Sequence, residues 1–169
     1  MIFVRIARPE DWDDMTSTFR AAGATAWSHI FGSAALADLA PASRWLESIT
    51  NPKPHSRFWV AEYQRRLAGF ATVCPSLVES DEPETAELDA LYTHPDVWGK
   101  GVGRRLLSES VDFARREDFN SIKLWTAELN HRPRAIYEKS GWLLTGATRS
   151  RNLFGTDFVE LRYELPLKG

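Results

Sequence analysis

The sequence predicts one mixed α/β domain, and three observations carry that prediction. The chain has 169 residues, 43% of them hydrophobic, which suffices for one substantial core. Strand-like runs and helical patterns follow one another in the order β-α-α-β-β-β-α-β-α-β-β. No internal repeat and no linker-like segment divides the chain. We therefore expect a single domain over residues 1–169.

Residues 1–56 are predicted to hold one strand and two helices. A proline followed by two acids at Pro9–Asp11 is typical of a helix start, because carboxylates suit the positive end of the helix dipole. Gly23 is typical of a helix end, and Pro52 and Pro54 break any helix that would cross them. The predicted elements are a strand over Phe3–Ala7 and helices over Glu10–Ala22 and Ser43–Ile49.

Residues 57–116 are predicted to form a hairpin, a third strand and a long helix. Alternating apolar residues on both sides of residues 64–66 indicate the hairpin. The third strand is followed by Pro95 and a glycine-rich turn, after which apolar residues recur with helical period. The predicted elements are strands over Phe58–Tyr63, Leu67–Cys74 and Ala86–Thr93, an acidic loop over Glu79–Glu84 and a helix over Gly101–Arg116.

The remaining residues are predicted to form a strand, a short helix and a closing antiparallel pair. Pro133 fits the first turn of the helix and Gly141 fits its C-terminal cap, while Gly155 fits the turn between the last two strands. The predicted elements are a strand over Ser121–Ala127, a helix over Arg132–Lys139 and strands over Leu144–Ser150 and Phe158–Leu165.

Composition excludes several classes of function. The formal net charge of −2 provides no overall attraction to nucleic acid or to an anionic membrane. The single cysteine, Cys74, cannot form an internal disulfide and suits a reducing compartment. The four histidines show no metal-ligand spacing, so no metal site is expected. No signal peptide is evident at the N-terminus. We expect a cytoplasmic protein with neither a nucleic acid nor a membrane as partner.

A glycine-spaced turn between a strand and a helix is the most informative motif. Glycines at alternate positions expose main-chain N–H groups where the positive end of the helix dipole lies, and such a site attracts phosphate. The pattern is neither a Walker A motif nor the dinucleotide fingerprint. The alternative is that the glycines only permit a tight turn. The residues are Gly99, Lys100, Gly101, Val102, Gly103 and Arg104, with Arg105 as a further cation.

A second motif follows about thirty residues later. Asn130 stands seven residues before Tyr137, which begins the phrase Tyr-Glu-Lys-Ser-Gly-Trp ending at Trp142. With both motifs in this order, the chain resembles the GNAT superfamily of acetyl-CoA-dependent N-acetyltransferases. In that family a Gln/Arg-x-x-Gly-x-Gly turn binds the coenzyme A pyrophosphate. Gly101 and Gly103 match this turn, whereas Trp98 occupies its Gln/Arg position.

The resemblance implies a fold and a cosubstrate. The fold is a single α/β (α+β) domain whose central mixed, mostly antiparallel sheet is splayed in the middle and flanked by about four helices. Acetyl-CoA is the implied cosubstrate, no metal is implied, and a homodimer is compatible with the family. Main-chain groups of Leu91, Tyr92 and Thr93 would meet the pantetheine arm, and the N–H of Leu91 would polarise the thioester carbonyl. The glycine turn would bind the pyrophosphate, and Asn130 would contact the coenzyme or hold the sheet open.

Two catalytic residues are predicted from the same resemblance. Tyr137 would protonate the departing thiolate as general acid; the alternative is a core tyrosine. Glu87 would be the general base, with Asp89 or a water molecule as alternatives and Glu128 as a weaker candidate. A regular strand would place Glu87, Asp89 and Leu91 on one face. The alternative for both acids is a solvated strand edge.

The predicted function is direct acetyl transfer from acetyl-CoA to a primary amine of a small molecule or peptide. No Ser or Cys arrangement suggests a covalent intermediate. An acidic segment could attract a cationic acceptor, or it could be only a solvated loop. Two alternatives remain: a non-catalytic acyl-CoA-binding or regulatory domain, and a structural interaction protein that does not bind coenzyme A. The acids of the segment are Glu79, Asp81, Glu82, Glu84, Glu87 and Asp89.

Overall fold

The computed structural model describes all 169 residues, with five helices around a seven-stranded sheet. This arrangement confirms the predicted fold class. The one-turn α2 is the helix that the sequence pattern did not predict. The strands are β1 (Ile2–Ile6), β2 (Arg57–Tyr63), β3 (Arg66–Pro75), β4 (Thr85–Thr93), β5 (Ser121–Ala127), β6 (Leu143–Leu153) and β7 (Thr156–Pro166). The helices are α1 (Trp12–Ala26), α2 (Ser28–Phe31), α3 (Ser43–Thr50), α4 (Val102–Arg116) and α5 (His131–Lys139).

The sheet opens between its two central strands. The strand order is β1-β2-β3-β4-β5-β7-β6, and every neighbouring pair is antiparallel except β4 and β5. That parallel pair joins only residues 85–87 to residues 121–123. A β-bulge then leaves Asp89 without a partner on β3, since Thr72 pairs with Ala90 and Val73 with Leu88. Bulges bend the strand that carries them, so β4 leaves β5 and runs on to its end unpaired on that side.

Two apolar clusters cover the two faces of the sheet. On one face, Leu106 and Phe113 of α4 and Tyr137 of α5 join a cluster of 21 buried residues. On the other face, Phe19 of α1 and Trp45 of α3 join a cluster of 11. Each long helix therefore packs one side on the sheet, as helical periodicity predicts. None of the helices has the length and apolar composition needed to cross a bilayer.

Helix α1 continues past Gly23, where the sequence predicted its end. Gly23 is buried, and its carbonyl accepts a hydrogen bond from the N–H of Trp27 at 2.9 Å. A Cβ atom at this position would clash with the Cδ2 atom of Leu39. The glycine thus permits close packing inside the helix instead of ending it, and α1 extends to Ala26.

Candidate active site

A cavity of about 840 Å³ lies where β4 and β5 separate. It passes through the opening of the sheet, from the start of α4 on one face to α1 and α2 on the other. Tyr137 lines it, together with all the residues predicted to bind the coenzyme. Those residues are Leu91, Tyr92, Thr93, Gly99, Lys100, Gly101, Val102, Gly103, Arg104 and Asn130. The fold therefore brings two motifs that are separate in sequence to one cavity.

The main chain of β4 presents polar groups to this cavity that no neighbouring strand pairs, although the carbonyl of Thr93 accepts the indole N–H of Trp98. The N–H of His94 donates to the carbonyl of Ala68 at 2.8 Å, which shows that His94 faces β3. In an antiparallel ladder this direction alternates along the strand. Tyr92 therefore also faces β3, and the N–H and C=O of Leu91 and Thr93 point the other way, into the gap. An extended ligand in the gap can pair with these groups as an added strand would.

The glycine turn presents N–H groups to the same cavity. Gly99 and Gly101 have φ angles of 80° and 90°, a region that side chains disfavour. Helix α4 begins at Val102, and the N–H of Arg105 is the first to bond back, to the carbonyl of Gly101 at 2.9 Å. The N–H groups of residues 102–104 therefore have no acceptor within the helix. Together with Lys100 and Arg104, they form a site suited to a pyrophosphate.

We expect alanine to be tolerated at one glycine of this turn and not at another. Gly101→Ala should destabilise the protein by about 1–2 kcal/mol, because it forces a Cβ atom into a left-handed conformation. Gly103→Ala should be neutral or stabilising, because residue 103 has helical backbone angles and alanine favours a helix more than glycine does. The added Cβ atom would lie 3.6 Å from Cγ2 of Thr93, an ordinary van der Waals contact. Urea denaturation of both variants tests this. An equal loss of unfolding free energy in the two variants would contradict the role assigned to the positive φ angle of Gly101.

Trp98, at the Gln/Arg position of the family motif, has two contacts in the structure. Its indole Nε1 donates to the carbonyl of Thr93 at 3.1 Å. The guanidinium of Arg132 lies 4.5 Å from the centre of the Trp98 ring. Both residues line the cavity beside the glycine turn. Because a guanidinium stacked on a ring keeps its in-plane N–H donors free, Arg132 can present a positive charge where the family motif has a polar side chain.

Tyr137 is buried yet borders the cavity. Its side chain is 7% exposed, and its ring lies 6.0 Å from the rings of both Trp142 and Tyr163. Burial raises the pKa of its phenol well above the usual value. The hydroxyl therefore stays protonated through the physiological range and is available as a proton or hydrogen-bond donor. Asn130 borders the same cavity, and its side-chain amide donates to the hydroxyl of Thr126 at 3.5 Å.

The structure places Glu87, the predicted base, away from this cavity. Its carboxylate is 6% exposed, accepts the N–H of Leu77 at 2.8 Å and lies 3.4 Å from the ammonium of Lys123. Lys123 is fully buried and forms a closer ion pair, 2.7 Å, with Asp81, whose other oxygen binds Arg162. Glu87 is thus part of a buried ion cluster where β4 and β5 are still paired, outside the opening of the sheet.

The bulge at Asp89 also overturns the expected alternation along β4. Ala90 belongs to the cluster beneath α1 and α3, and Leu91 packs against the opposite cluster. Asp89 itself binds Arg44 at 2.7 Å and the indole of Trp45 at 2.8 Å, both on α3. The prediction that Glu87, Asp89 and Leu91 share one face is therefore wrong, because the extra residue shifts the alternation by one.

Two carboxylates, Asp89 and Glu160, do line the cavity. Burial raises the pKa of the Tyr92 phenol, and Tyr137 and the charges of Asp89 and Glu160 act in the same direction. Sequence reasoning missed Glu160 on β7. The available signal was the alternation on that strand, in which Leu161 and Tyr163 are core residues and Glu160 occupies the other face. That pattern alone does not show that the face borders a cavity.

Aromatic rings enclose the cavity on the side of α1 and α2. Trp27, Phe31 and Phe158 line it, and the rings of Phe31 and Phe158 lie 5.2 Å apart. Trp45, by contrast, is a core residue, 5% exposed. Cys74 does not line the cavity, and burial raises the pKa of its thiol to about 12.

Comparison with known proteins agrees with this geometry. Residues 16–142 match the acetyltransferase (GNAT) family, and the chain belongs to that family. It is therefore an acyltransferase of the N-acetyltransferase type. An N-acetyltransferase of Mycobacterium tuberculosis is 25% identical over 169 residues, covering 97% of this chain and 93% of its own. The IAA acetyltransferase of Azospirillum brasilense is 31% identical, over 78% of this chain and 83% of its own. By contrast, the chain spans 45% of the length of a matching N-acetyltransferase of Methanocaldococcus jannaschii, at 24% identity over 59% of this chain.

Solved structures share the fold over almost the whole chain. An acetyltransferase of Salmonella typhimurium, crystallised with its cofactor acetyl-CoA, has a TM-score of 0.77 at 21% identity, over 100% of this chain and 95% of its own. The PaiA N-acetyltransferase of Thermoplasma acidophilum, in complex with coenzyme A, has a TM-score of 0.74 at 19% identity, over 98% and 99% of the two chains. At these identities the likeness establishes the fold.

Proposed function

We propose that this protein transfers the acetyl group of acetyl-CoA directly to a primary amine. The observation that carries the proposal is the opening of the sheet beside the glycine turn. Free N–H groups at the start of α4 suit the pyrophosphate, and the main-chain groups of Leu91 and the N–H of Thr93, which no neighbouring strand pairs, suit the pantetheine arm. One continuous cavity joins the two and continues toward the aromatic side, where an acceptor can enter.

The residues around the gap can carry out each part of the transfer. The acceptor ammonium loses a proton, and its nitrogen attacks the thioester carbonyl carbon. The N–H of Leu91 donates to the oxyanion that forms, a contribution of about 3–4 kcal/mol for one preorganised donor. The C–S bond then breaks, Tyr137 supplies a proton to the sulfur, and the second proton of the nitrogen returns to Tyr137. One acetamide, one free thiol and one proton result.

Of the three bases that the sequence left open for the ammonium proton, Glu87, Asp89 and water, the geometry favours water. Glu87 lies outside the cavity, and the carboxylate of Asp89 is already bound by Arg44 and Trp45. Deprotonation at neutral pH costs an alkylamine about 4–5 kcal/mol, which need not require a strong base. We assign this step to water in the cavity, with Glu160, a carboxylate that lines the cavity, as the group that attracts the ammonium.

Release of free thiol from acetyl-CoA over a panel of amines tests the proposed function. We expect thiol release that depends on the amine, with a stoichiometric acetamide product by mass spectrometry. A thermal shift with coenzyme A but no release with any amine would instead support a non-catalytic acyl-CoA-binding domain. Absence of any shift would remove the coenzyme site itself, since ligand at 100 times its Kd should add about 2.7 kcal/mol of stability.

The contact between Arg132 and Trp98 makes a separate prediction about the coenzyme. Arg132→Gln should weaken coenzyme A binding roughly tenfold, the effect of losing one charge-assisted phosphate contact. It should leave the KM for acetyl-pantetheine, which lacks the nucleotide and pyrophosphate, unchanged. Arg115→Gln is a matched control, because Arg115 is an exposed arginine at the other end of α4. Equal weakening of both ligands would contradict a phosphate contact at Arg132.

A further inference from the structure

The aromatic side of the cavity holds a carboxylate with one unbound oxygen. The Oε2 atom of Glu160 accepts two hydrogen bonds from Arg149, at 2.9 and 3.2 Å. Its Oε1 atom has no hydrogen bond, and the nearest cation, Nε of Arg151, is 3.9 Å away. The Glu160 side chain is nevertheless only 13% exposed. A largely enclosed carboxylate with an unbonded oxygen gains from a charged donor, so Oε1 can bind an ammonium group.

Arg151 is the cation beside that oxygen, and its charge is only weakly compensated. Its side chain is 52% exposed, and the 3.9 Å contact with Glu160 is its one ion pair. Arg149, by comparison, is bonded to Glu160 and stacks 4.4 Å above the ring of Trp125. Arg151 also borders the cavity, so its guanidinium can donate hydrogen bonds to an anionic group of a ligand.

The spacing of these two charges matches a particular kind of acceptor. An α-amino acid carries its ammonium and its carboxylate on one carbon, so its partners must be a carboxylate and a cation a few ångströms apart. Glu160 Oε1 and Arg151 Nε, 3.9 Å apart, satisfy this requirement. An amine without a carboxylate could pair with Glu160 but would leave the guanidinium of Arg151 without a partner in the ligand.

The remaining walls suit an apolar side chain. Trp27, Phe31 and Phe158 line this side of the cavity, and Phe31 also packs against Phe154, with ring centres 6.0 Å apart. Helix α2 thereby contacts the β6–β7 hairpin across the opening. Three acids of the acidic segment are already paired, since Asp81 and Glu87 bind Lys123 and Asp89 binds Arg44. The other three are exposed and do not line the cavity: Glu79, Glu82 and Glu84.

We propose that the acceptor is a small α-amino acid with an apolar or aromatic side chain, held through its amine by Glu160 and through its carboxylate by Arg151. The proposal rests on the proposed function and narrows its substrate class. The amine nitrogen forms the bond to the acetyl carbon as the C–S bond breaks, and the product is an N-acetyl amino acid. The side chain of the acceptor packs among the rings of Trp27, Phe31 and Phe158.

Matched acceptor pairs test this proposal on the full-length protein. L-Phenylalanine is compared with 2-phenylethylamine, and L-leucine with 3-methylbutylamine, by thiol release from acetyl-CoA. We expect kcat/KM to favour the amino acid of each pair by roughly ten- to a hundredfold, since a site that pairs a carboxylate disfavours the analogue lacking it. Arg151→Gln should abolish that preference, while Glu160→Gln should lower kcat/KM for both members.

Additional acceptors and control variants distinguish failure of the amino-acid proposal from failure of the proposed acetyl transfer. Spermidine and an alanine-initiated tripeptide join the acceptor panel, and Arg115→Gln is the control variant. Each variant is also checked for an unchanged coenzyme A thermal shift, which shows that it is folded.

Equal or faster turnover of the decarboxylated amines, spermidine or the peptide would overturn the amino-acid acceptor and leave acetyl transfer in place. The amino-acid acceptor would also be rejected if Arg151→Gln left the ratio within each pair unchanged. Coenzyme binding with no transfer to any amine would overturn the proposed function, and this inference with it.

Discussion

Tyr137→Phe is expected to lower kcat by about a hundredfold or more, the usual effect of removing a positioned proton donor. The dissociation constant for coenzyme A should change less than about twofold, because the ring and its packing remain. The hydroxyl lost is the one on a buried ring beside the opening of the sheet, whose pKa burial raises above its ordinary value. Steady-state kinetics and isothermal titration calorimetry measure the two quantities.

Tyr163→Phe is the matched control for Tyr137. Tyr163 is a fully buried tyrosine 6.0 Å from Tyr137, but it does not border the cavity, and its hydroxyl donates to Glu138 at 2.6 Å. This variant should lose stability and keep its kcat. Because the phenol of Tyr137 stays protonated, its titration should add no limb to the wild-type profile of kcat between about pH 6 and pH 9. An unchanged kcat in Tyr137→Phe would remove Tyr137 as the acid.

Lys123→Met is expected to destabilise the protein by about 3–5 kcal/mol, the cost of leaving buried charges without their partner. Lys123 is fully buried between Asp81 and Glu87, and it lies in the last residue pair that joins β4 to β5. The ion cluster therefore holds together the closed end of the splay. Chemical denaturation at pH 7 measures the loss. Lys168→Met, which removes an exposed pair with Asp118, should cost less than about 1 kcal/mol.

The deficit of Lys123→Met should shrink as the pH is lowered toward about 4. In the wild type, burial alone would raise the pKa of Asp81, but its contacts with Lys123, Ser76 and Arg162 lower it to about 2. A carboxyl with a lowered pKa contributes stability above its unfolded pKa and loses it as the pH falls through the folded value. Without Lys123, Asp81 loses one of the partners that lower its pKa, so it protonates at a higher pH and its poorly compensated charge is removed. A deficit independent of pH would contradict this account.

Local patterns predicted most of the elements because they depend on neighbouring residues. The turns at residues 64–66 and at Gly155 connect the strands as predicted, and Gly141 follows α5 with a φ of 87°. The prediction at Gly23 was wrong because a glycine can either end a helix or permit close packing within it. The contact with Leu39 that decides between these roles is sixteen residues away in sequence. The bulge at Asp89 has no local signal, since it arises from pairing with β3.

By itself, the sequence determined the order of elements and the glycine turn at residues 99–104, because these depend on composition and short spacings. The candidate pair Asn130 and Tyr137 followed from the resemblance of their motif to a known family. Only the tertiary structure decided which carboxylates border the cavity. Glu87 and Glu160 are both acids on strands near the opening, yet one binds Lys123 in a buried cluster and the other keeps an oxygen free beside the acceptor side. The free energy of a buried charge depends on its partners in space, and the strand alternation and bulge that select those partners are properties of the assembled sheet.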